Sequence, residues 1–154
     1  MIYWREEWKK ILREVIVKDA ELRRLMCVPP NVKIMEFIDD YFCHMAATGP
    51  LLTNQVCRVV YHETTDQLTS NPHVLEQEMV FDIYVKKTEQ HTANVDRLDN
   101  RTELISERIQ WLLIHDKDLG DTYKFNTIFD ADMFSSTYEY SRRRLILRFK
   151  KVTM

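Results

Sequence analysis

The spacing of apolar residues predicts three helices in the first third of the chain. A stripe with three- and four-residue spacing indicates an amphipathic first helix: Trp4, Trp8, Ile11, Leu12 and Val15. Asp19 can cap a short second helix, which ends at the Val-Pro-Pro stretch 28–30 because proline disfavours helix in the residue before it. A third helix is predicted to run to Gly49 and Pro50 on a further apolar series: Ile34, Phe37, Ile38, Tyr41, Phe42 and Met45.

The period then changes from helical to extended. Residues 55–63 are rich in valine, and apolar and polar residues alternate over 78–87, so both segments are predicted to be strands that pair. The polar stretch 64–73 between them is too long for a tight hairpin and predicts a projecting loop. Two further strands are predicted around 123–129 and 138–150.

A long fourth helix is predicted from Asp96 to His115, between the two pairs of strands. Its apolar face comprises Leu98, Thr102, Ile105, Ile109, Leu112 and Leu113. About five turns, at roughly 1.5 Å per residue, are enough to cross a small sheet. The order of elements predicts an α+β fold with an about four-stranded, mainly antiparallel sheet, and with the N-terminal helices and the long helix packed on one face.

Length and composition fit one globular domain. A chain of 154 residues with 45% apolar and 30% charged residues can bury one core. We expect a single domain over 1–154, with a helical part over 3–48 and the sheet and long helix over 55–151. The three cysteines have no paired spacing, so Cys27, Cys43 and Cys57 are expected to be buried apolar residues in a reducing compartment.

Charge and glycine content exclude several function classes. A net charge of −2 gives no long-range attraction to nucleic acid or to anionic membranes. With two glycines, the chain carries none of the glycine-rich motifs that bind phosphates. The sequence shows no signal peptide or apolar run of membrane-spanning length, so we expect a soluble protein made in a cytoplasm.

The densest cluster of chemically capable side chains is the stretch IHDKDLGD, residues 114–121. As a calcium loop beginning at Asp116, it lacks the required glycine and glutamate, because those positions hold Asp121 and Thr127. As a metal-dependent phosphohydrolase site, it lacks partner histidines in a recognisable pattern. We therefore interpret the stretch as the polar end of the fourth helix, where His115 complements the negative helix terminus.

A second catalytic candidate is the strand FDIYVK, with Glu63 on the strand before it. Nucleases that mount a site on a central hairpin place a lysine two residues beyond the second acid, but Lys86 is four residues beyond Asp82. No serine-hydrolase motif is present, and Cys43 and His44 are adjacent, so on a helix they point about 100° apart. The sequence thus predicts no catalytic residue, no metal ligand and no cofactor.

The strongest electrostatic asymmetry is a cationic run near the C-terminus. On a strand, one face carries the arginine ladder of Arg142, Arg144 and Arg148, followed by Lys150. Contact with nucleic acid is one interpretation. We favour a solvated or subunit-facing surface that is answered by acids of a neighbouring subunit, because the chain as a whole is slightly acidic.

Six segments carry a resemblance that spans nearly the whole chain. They are the opening amphipathic helix, the short helix before VPP, the strands CRVVYHE and VFDIYVKK, the helix DRLDNRTELISERIQWLL and the strand YSRRRLILRFKK. Their order resembles the small head-tail joining, tail-completion and tail-terminator proteins of tailed bacteriophages. The resemblance implies a non-enzymatic virion protein that forms a homo-oligomeric ring, usually of six copies, at the head-tail junction. Such a ring caps the tail tube, docks to head-connector or neck proteins, and passes DNA through its lumen without binding it specifically.

Under this interpretation, contacts between subunits or with neighbouring virion proteins come from the loop 64–73, the helix 96–115 and the arginine ladder. The candidate residues are Asp66, Thr69, Asn71, Arg97, Arg101, Arg108, Arg142, Arg144 and Arg148. Two alternatives stay open at this point. One is a divalent-metal-dependent nuclease of restriction-nuclease-like fold, and the other is a monomeric adaptor protein.

Overall fold

The computed structural model describes residues 8–64, 74–94, 96, 98–115, 124–135 and 138–152. Five strands form one sheet: β1 (Phe42–His44), β2 (Cys57–Glu63), β3 (Val74–Lys86), β4 (Lys124–Met133) and β5 (Tyr140–Val152). Their order across the sheet is β1-β2-β3-β5-β4. β1 runs parallel to β2, and all other neighbouring strands are antiparallel.

In the described residues, four α-helical segments accompany the sheet, together with two short 3-10 turns at Met45–Ala47 and Lys87–Glu89. α1 covers residues 8–16 and ends in a π-helical turn, and α3 covers residues 34–41 and ends in the same way. α2 is Ala20–Leu25, and α4 is Arg101–His115. The α+β class and the predicted helices at the N-terminus are therefore confirmed, but the sheet has five strands in a mixed arrangement rather than four.

The ends of α2 follow from its sequence. The Asp19 side chain accepts a hydrogen bond from the Leu22 N–H at 2.8 Å, so the predicted N-cap is confirmed. At the other end, Cys27 adopts the left-handed region with φ of 55°, and the Val28 N–H donates to the Arg23 carbonyl at 3.0 Å. This Schellman closure ends the helix before the prolines are reached.

The extra strand arises where a helix was predicted to continue to Gly49. α3 ends at Tyr41, and the chain enters β1, whose Phe42 pairs with Val59 of β2. Phe42 is fully buried whereas Met45, assigned to the same helical stripe, is exposed. The helical prediction was wrong beyond position 41, because pairing with β2 gives the backbone of this segment partners that sequence spacing cannot reveal.

The core lies between one face of the sheet, here called the inner face, and the helices. Inner-face side chains that are fully or almost fully buried are Val59, Met79, Phe81, Ile83, Val85, Leu145, Leu147 and Phe149. α4 lies against β3, β4 and β5, with Ile105 and Ile109 fully buried. Because α4 begins at Arg101 rather than Asp96, the predicted core residue Leu98 precedes it and is exposed.

The predicted strands are confirmed, and three of them extend further than expected. β3 begins at Val74, β4 continues to Met133, and β5 continues to Val152. A register shift between Thr127 and Phe129 forms an irregularity in β4. Ile128 is the extra residue in this irregularity. Since side chains alternate along a strand, it turns Asp130 toward the inner face and Phe129 toward the opposite, outer face.

Candidate functional site

Acidic and basic side chains pair on the outer face of the sheet, between β3 and β5. The register sets Asp82 opposite Arg144 and Glu78 opposite Arg148. Arg144 Nε donates to Asp82 Oδ1 at 2.9 Å, and Arg148 Nη2 donates to Glu78 Oε1 at 2.8 Å. Arg142 Nη2 also donates to Asp82, at 3.2 Å. Acids of β3 in the same chain thus already pair with the arginine ladder, and the expected contact of the ladder with a neighbouring subunit stays a prediction.

Asp82 is the centre of this charged surface. The residue is 9% exposed, and its carboxylate accepts hydrogen bonds from two arginines. The hydrogen bond with Asp82 raises the pKa of the Arg144 guanidinium, and the carboxylate charge adds to that effect while burial opposes it. The pair therefore holds two strands together through ionised groups.

The two acids of the nuclease-like pattern lie on different faces of the sheet. Asp82 pairs with Val60 in β2, whereas Glu63 pairs with Met79, an odd number of positions away. Side chains alternate along a strand, so the carboxylates of Asp82 and Glu63 point in opposite directions. Glu63 instead lies beside a histidine of β1, with its Oε2 at 2.8 Å from His44 Nε2.

A second charged cluster joins the inner side of the sheet to α4. Arg143 Nε donates to Asp130 Oδ1 at 2.7 Å, and Arg143 Nη1 donates to Asp132 Oδ1 at 3.1 Å. The Ser106 hydroxyl and the Gln110 amide of α4 also donate to the Asp130 carboxylate, at 2.7 and 3.2 Å. Asp130 thus ties β4, β5 and α4 together. The sequence pattern gave no sign of this role, because it depends on the irregularity in β4.

Two of the predicted contact residues on α4 have internal partners. Arg101 is 4% exposed, and its guanidinium donates to the carbonyls of Leu25 and Glu89 and to the Thr92 hydroxyl. Arg108 makes a bidentate pair with the carboxylate of Asp19, the N-cap of α2. Its guanidinium lies 4.4 Å from the centre of the Trp111 ring. Arg101 therefore leaves little surface for a partner, whereas Trp111 beside Arg108 is half exposed.

Four predicted contact residues lie outside the described residues: Asp66, Thr69, Asn71 and Arg97. Most of the stretch 114–121 lies outside them too. α4 is described as far as His115, whose ring lies 6.4 Å from that of Trp111. The described residues contain no group of three or more histidine, cysteine or acidic side chains placed to hold a metal ion.

Exposed apolar side chains lie at both outer strands of the sheet. At one edge, the β4 patch consists of Ile128, Phe129 and Phe134. At the other edge, after β1, the β1 patch consists of Met45, Leu51 and Leu52. Met45 and Leu51 line a groove of about 310 Å³. Neither patch could be predicted from residue spacing, because the strand order places these residues at the edges of the sheet.

The thiols divide into two kinds. Cys43 and Cys57 are buried as expected, but the expectation is wrong for Cys27, which is exposed. Burial raises the pKa of the Cys43 thiol to about 11. In contrast, the hydrogen bond that Cys27 shares with Cys57 lowers the pKa of the Cys27 thiol to about 6, although partial burial opposes this. Cys27 therefore carries thiolate character near neutral pH.

The architecture is that of an α+β sheet protein whose outer-face arginines pair with acids of the same chain and whose sheet edges carry exposed apolar side chains. The chain belongs to the YomW family, whose model matches residues 19–149. The family's name is of the SPbeta-prophage type, which indicates a phage-associated protein. The comparison with curated proteins gave no match. Within the described part of the chain, every helix is too short or too polar to cross a bilayer.

Proposed function

We propose that this protein is a non-enzymatic structural protein of a tailed-phage virion, and that it forms a ring at the head-tail junction. Membership of a phage-associated family supports the first part of this proposal. The resemblance to head-tail joining, tail-completion and tail-terminator proteins supports the second. The observation that carries the proposal is the position of the two apolar patches at opposite edges of the sheet.

A closed ring needs a head-to-tail interface, in which one patch of each subunit meets a different patch of the next. The order β1-β2-β3-β5-β4 separates the β4 patch from the β1 patch by the full width of the sheet. Phe134 is 85% exposed and Met45 is 57% exposed, so both patches offer apolar area that a neighbour can cover. Burial of these side chains between subunits would supply the driving force for assembly.

Outside the ring interface, the proposed partners are the tail tube and the head-connector or neck proteins. The resemblance implies six copies and a lumen through which DNA passes. Assembly of this kind needs no cofactor. The internally paired arginine ladder gives the outer sheet face a balanced charge, which favours a contact surface over a site for specific DNA binding.

The test uses variants that each damage one patch. Phe129→Glu alters the β4 patch, Met45→Glu alters the β1 patch, and Leu98→Glu is the matched control at an exposed leucine that belongs to neither patch. Light scattering and negative-stain imaging, with and without tail tubes, should show rings for the wild type and for the control only. A mixture of the two patch variants should form dimers and no larger species, because each subunit then keeps one competent patch and the competent patches differ.

Two outcomes would contradict the proposal. One is a wild-type protein that stays a single copy at all concentrations and does not bind tail tubes, which would favour a monomeric adaptor. The other is magnesium-dependent cleavage of DNA by the purified protein, lost in Asp82→Ala, which would favour the nuclease alternative. Folding of every variant is checked by circular dichroism.

A further inference from the structure

Two cysteines that lie 30 positions apart in the sequence meet at the end of α2. Cys27 occupies the left-handed position after this helix and is exposed, whereas Cys57 opens β2 and is fully buried. The Cys57 Sγ atom lies 3.8 Å from the carbonyl oxygen of Leu25, two residues before Cys27, and the side chains of the two cysteines interact. Residues with a β-carbon rarely adopt the left-handed region, and glycine is the usual residue at this point of a Schellman closure. The fold therefore places a cysteine side chain at a position whose backbone conformation favours glycine.

A buried cation lies beside this thiol pair. The Leu25 carbonyl accepts from Arg101 Nη1 at 2.6 Å and from Cys57 Sγ at 3.8 Å, so one backbone oxygen brings the guanidinium and the second thiol together. In the part of the chain that the structure describes, the hydrogen bonds of Arg101 go to neutral oxygens. The charge of Arg101 thus remains available to stabilise an anion at Cys27.

The pKa values of the two thiols differ in the direction that a pair of one nucleophilic and one resolving thiol requires. The hydrogen bond from Cys57 and then the charge of Arg101 lower the pKa of the Cys27 thiol to about 6, against burial and the carboxylate of Glu89. Burial raises the pKa of the Cys57 thiol well above its usual range. Cys27 is consequently the thiolate and Cys57 the protonated thiol at neutral pH.

We propose that Cys27 and Cys57 form a thiol modification site, in which exposed Cys27 reacts with small-molecule disulfides and buried Cys57 resolves the product into a Cys27–Cys57 disulfide. In the first step, the Cys27 thiolate sulfur bonds to one sulfur of the reagent and expels the other as a thiolate. In the second step, Cys57 gives its proton to a thiolate in solution, and its sulfur displaces the remaining reagent thiol. The protein, with Cys27 as the thiolate, loses two electrons and one proton, and the reagent disulfide becomes one thiol and one thiolate.

The proposed disulfide joins the end of α2 to the start of β2. It would enclose α3 and β1 in one covalent loop, including the segment that leads into the β1 patch. The proposal requires the two sulfur atoms, whose side chains already interact, to approach to the disulfide bond length of about 2.0 Å. Cross-linking at this point restricts the unfolded chain, so the oxidised protein should have the higher thermal midpoint.

Oxidised glutathione serves as the reagent in the test, applied to the reduced full-length protein. Intact-mass measurement should show the loss of two hydrogen atoms, and a non-reducing peptide map should show Cys27 joined to Cys57. In Cys57→Ser, a glutathione adduct should persist on Cys27, because the resolving thiol is missing. Cys43→Ser is the matched control at the other buried cysteine and should form the same disulfide as the wild type.

A second measurement does not depend on any variant folding. The rate at which iodoacetamide alkylates Cys27 should rise with pH about a midpoint near 6. At neutral pH the thiolate fraction exceeds that of an ordinary thiol about thirtyfold, but a low-pKa thiolate is intrinsically less nucleophilic by about ten- to twentyfold. The midpoint, and not the rate at one pH, therefore separates the two cases. The charged groups that set it are Arg24, Glu89 and Arg101, together with the Cys57 thiol.

The proposal is overturned by either of two results. One is an alkylation midpoint near 8.5, as for an ordinary exposed thiol. The other is a wild-type protein in which glutathione stays on Cys27 and no Cys27–Cys57 bond forms, since this would remove the resolving role of Cys57.

Discussion

Asp19 and Arg108 are joined by two hydrogen bonds, Nε to Oδ2 at 2.8 Å and Nη2 to Oδ1 at 2.6 Å, although 89 positions separate them in the chain. The same carboxylate accepts the Leu22 N–H as the N-cap of α2. One side chain therefore starts a helix and fixes that helix against α4.

Replacing Asp19 should reveal both roles. Asp19→Ala removes the cap, worth about 1 kcal/mol, and leaves the partly buried guanidinium of Arg108 without its acid, which costs roughly 1–3 kcal/mol more. Asp19→Asn keeps an oxygen acceptor for the cap and should lose less. The free energy of unfolding from urea titrations measures the difference. Equal losses in the two variants would contradict the double role.

Acid should abolish the contribution of Asp19. Burial alone would raise the pKa of this carboxyl, but the hydrogen bonds from Arg108 and Leu22 and the charge of Arg108 lower it below 3.8. A lowered folded-state pKa gives stability that is present above 3.8 and is lost as the pH falls through the folded-state value. The stability gap between the wild type and Asp19→Asn should therefore be constant near neutral pH and shrink below pH 3.8. A gap that grows on acidification would show the opposite shift.

Asp82, at the centre of the arginine ladder, should contribute more to the free energy of unfolding than the ion pairs of Arg148. Asp82→Ala leaves Arg142 and Arg144 without their shared carboxylate, and we expect a loss of about 1–3 kcal/mol. Arg148→Ala breaks exposed pairs at the same face and should leave the urea midpoint unchanged. The two midpoints are compared under identical salt. An equal loss in both variants would mean that burial of Asp82 plays no part.

A substitution on the buried face of α4 should lower the free energy of unfolding more than the substitutions on the outer face of the sheet. Ile109 is fully buried, so Ile109→Ala should cost about 2–5 kcal/mol through lost transfer energy and a residual cavity. Leu98→Ala removes the same kind of side chain from an 82% exposed position and should stay within about 0.5 kcal/mol of the wild type. Thermal and urea denaturation both report the difference.

The backbone at Cys27 can be tested separately from its thiol. Cys27→Gly and Cys27→Ala both remove the sulfur, but only glycine adopts a φ of 55° without a clash of its β-carbon. The glycine variant should be more stable by roughly 1 kcal/mol. An alanine variant of equal stability would show that the Schellman closure relaxes.

Local signals in the sequence predicted the elements whose ends depend on neighbouring residues. The Asp19 cap, the α1 stripe and the alternation in β3 are all read within a few positions. β1 could not be predicted in this way, because Phe42 and Met45 also fit a helical stripe and the pairing of β1 with β2 is a contact between distant segments.

In the candidate site too, local patterns predicted some features, whereas others depend on contacts between distant segments. The arginine ladder and its common face were predictable from alternation, but the partners of Arg144 and Arg148 required the register between β3 and β5. The thiol pair and the two sheet-edge patches depend on which strands are neighbours and on where the chain turns back. Neither produces a fixed spacing of residues in the sequence. The internal partners of Arg101 were hidden for a similar reason, since they come from α2 and from the turn that precedes α4.

The one-residue shift between Thr127 and Phe129 makes the two halves of β4 face different ways. Closing this irregularity without the loss of a residue would set Phe129 opposite Leu145 and Asp130 opposite Arg144, which would turn the Asp130 carboxylate away from α4 and Phe129 toward the helix. A register slip of one residue at this point would therefore exchange the wet and dry sides of the strand beyond it.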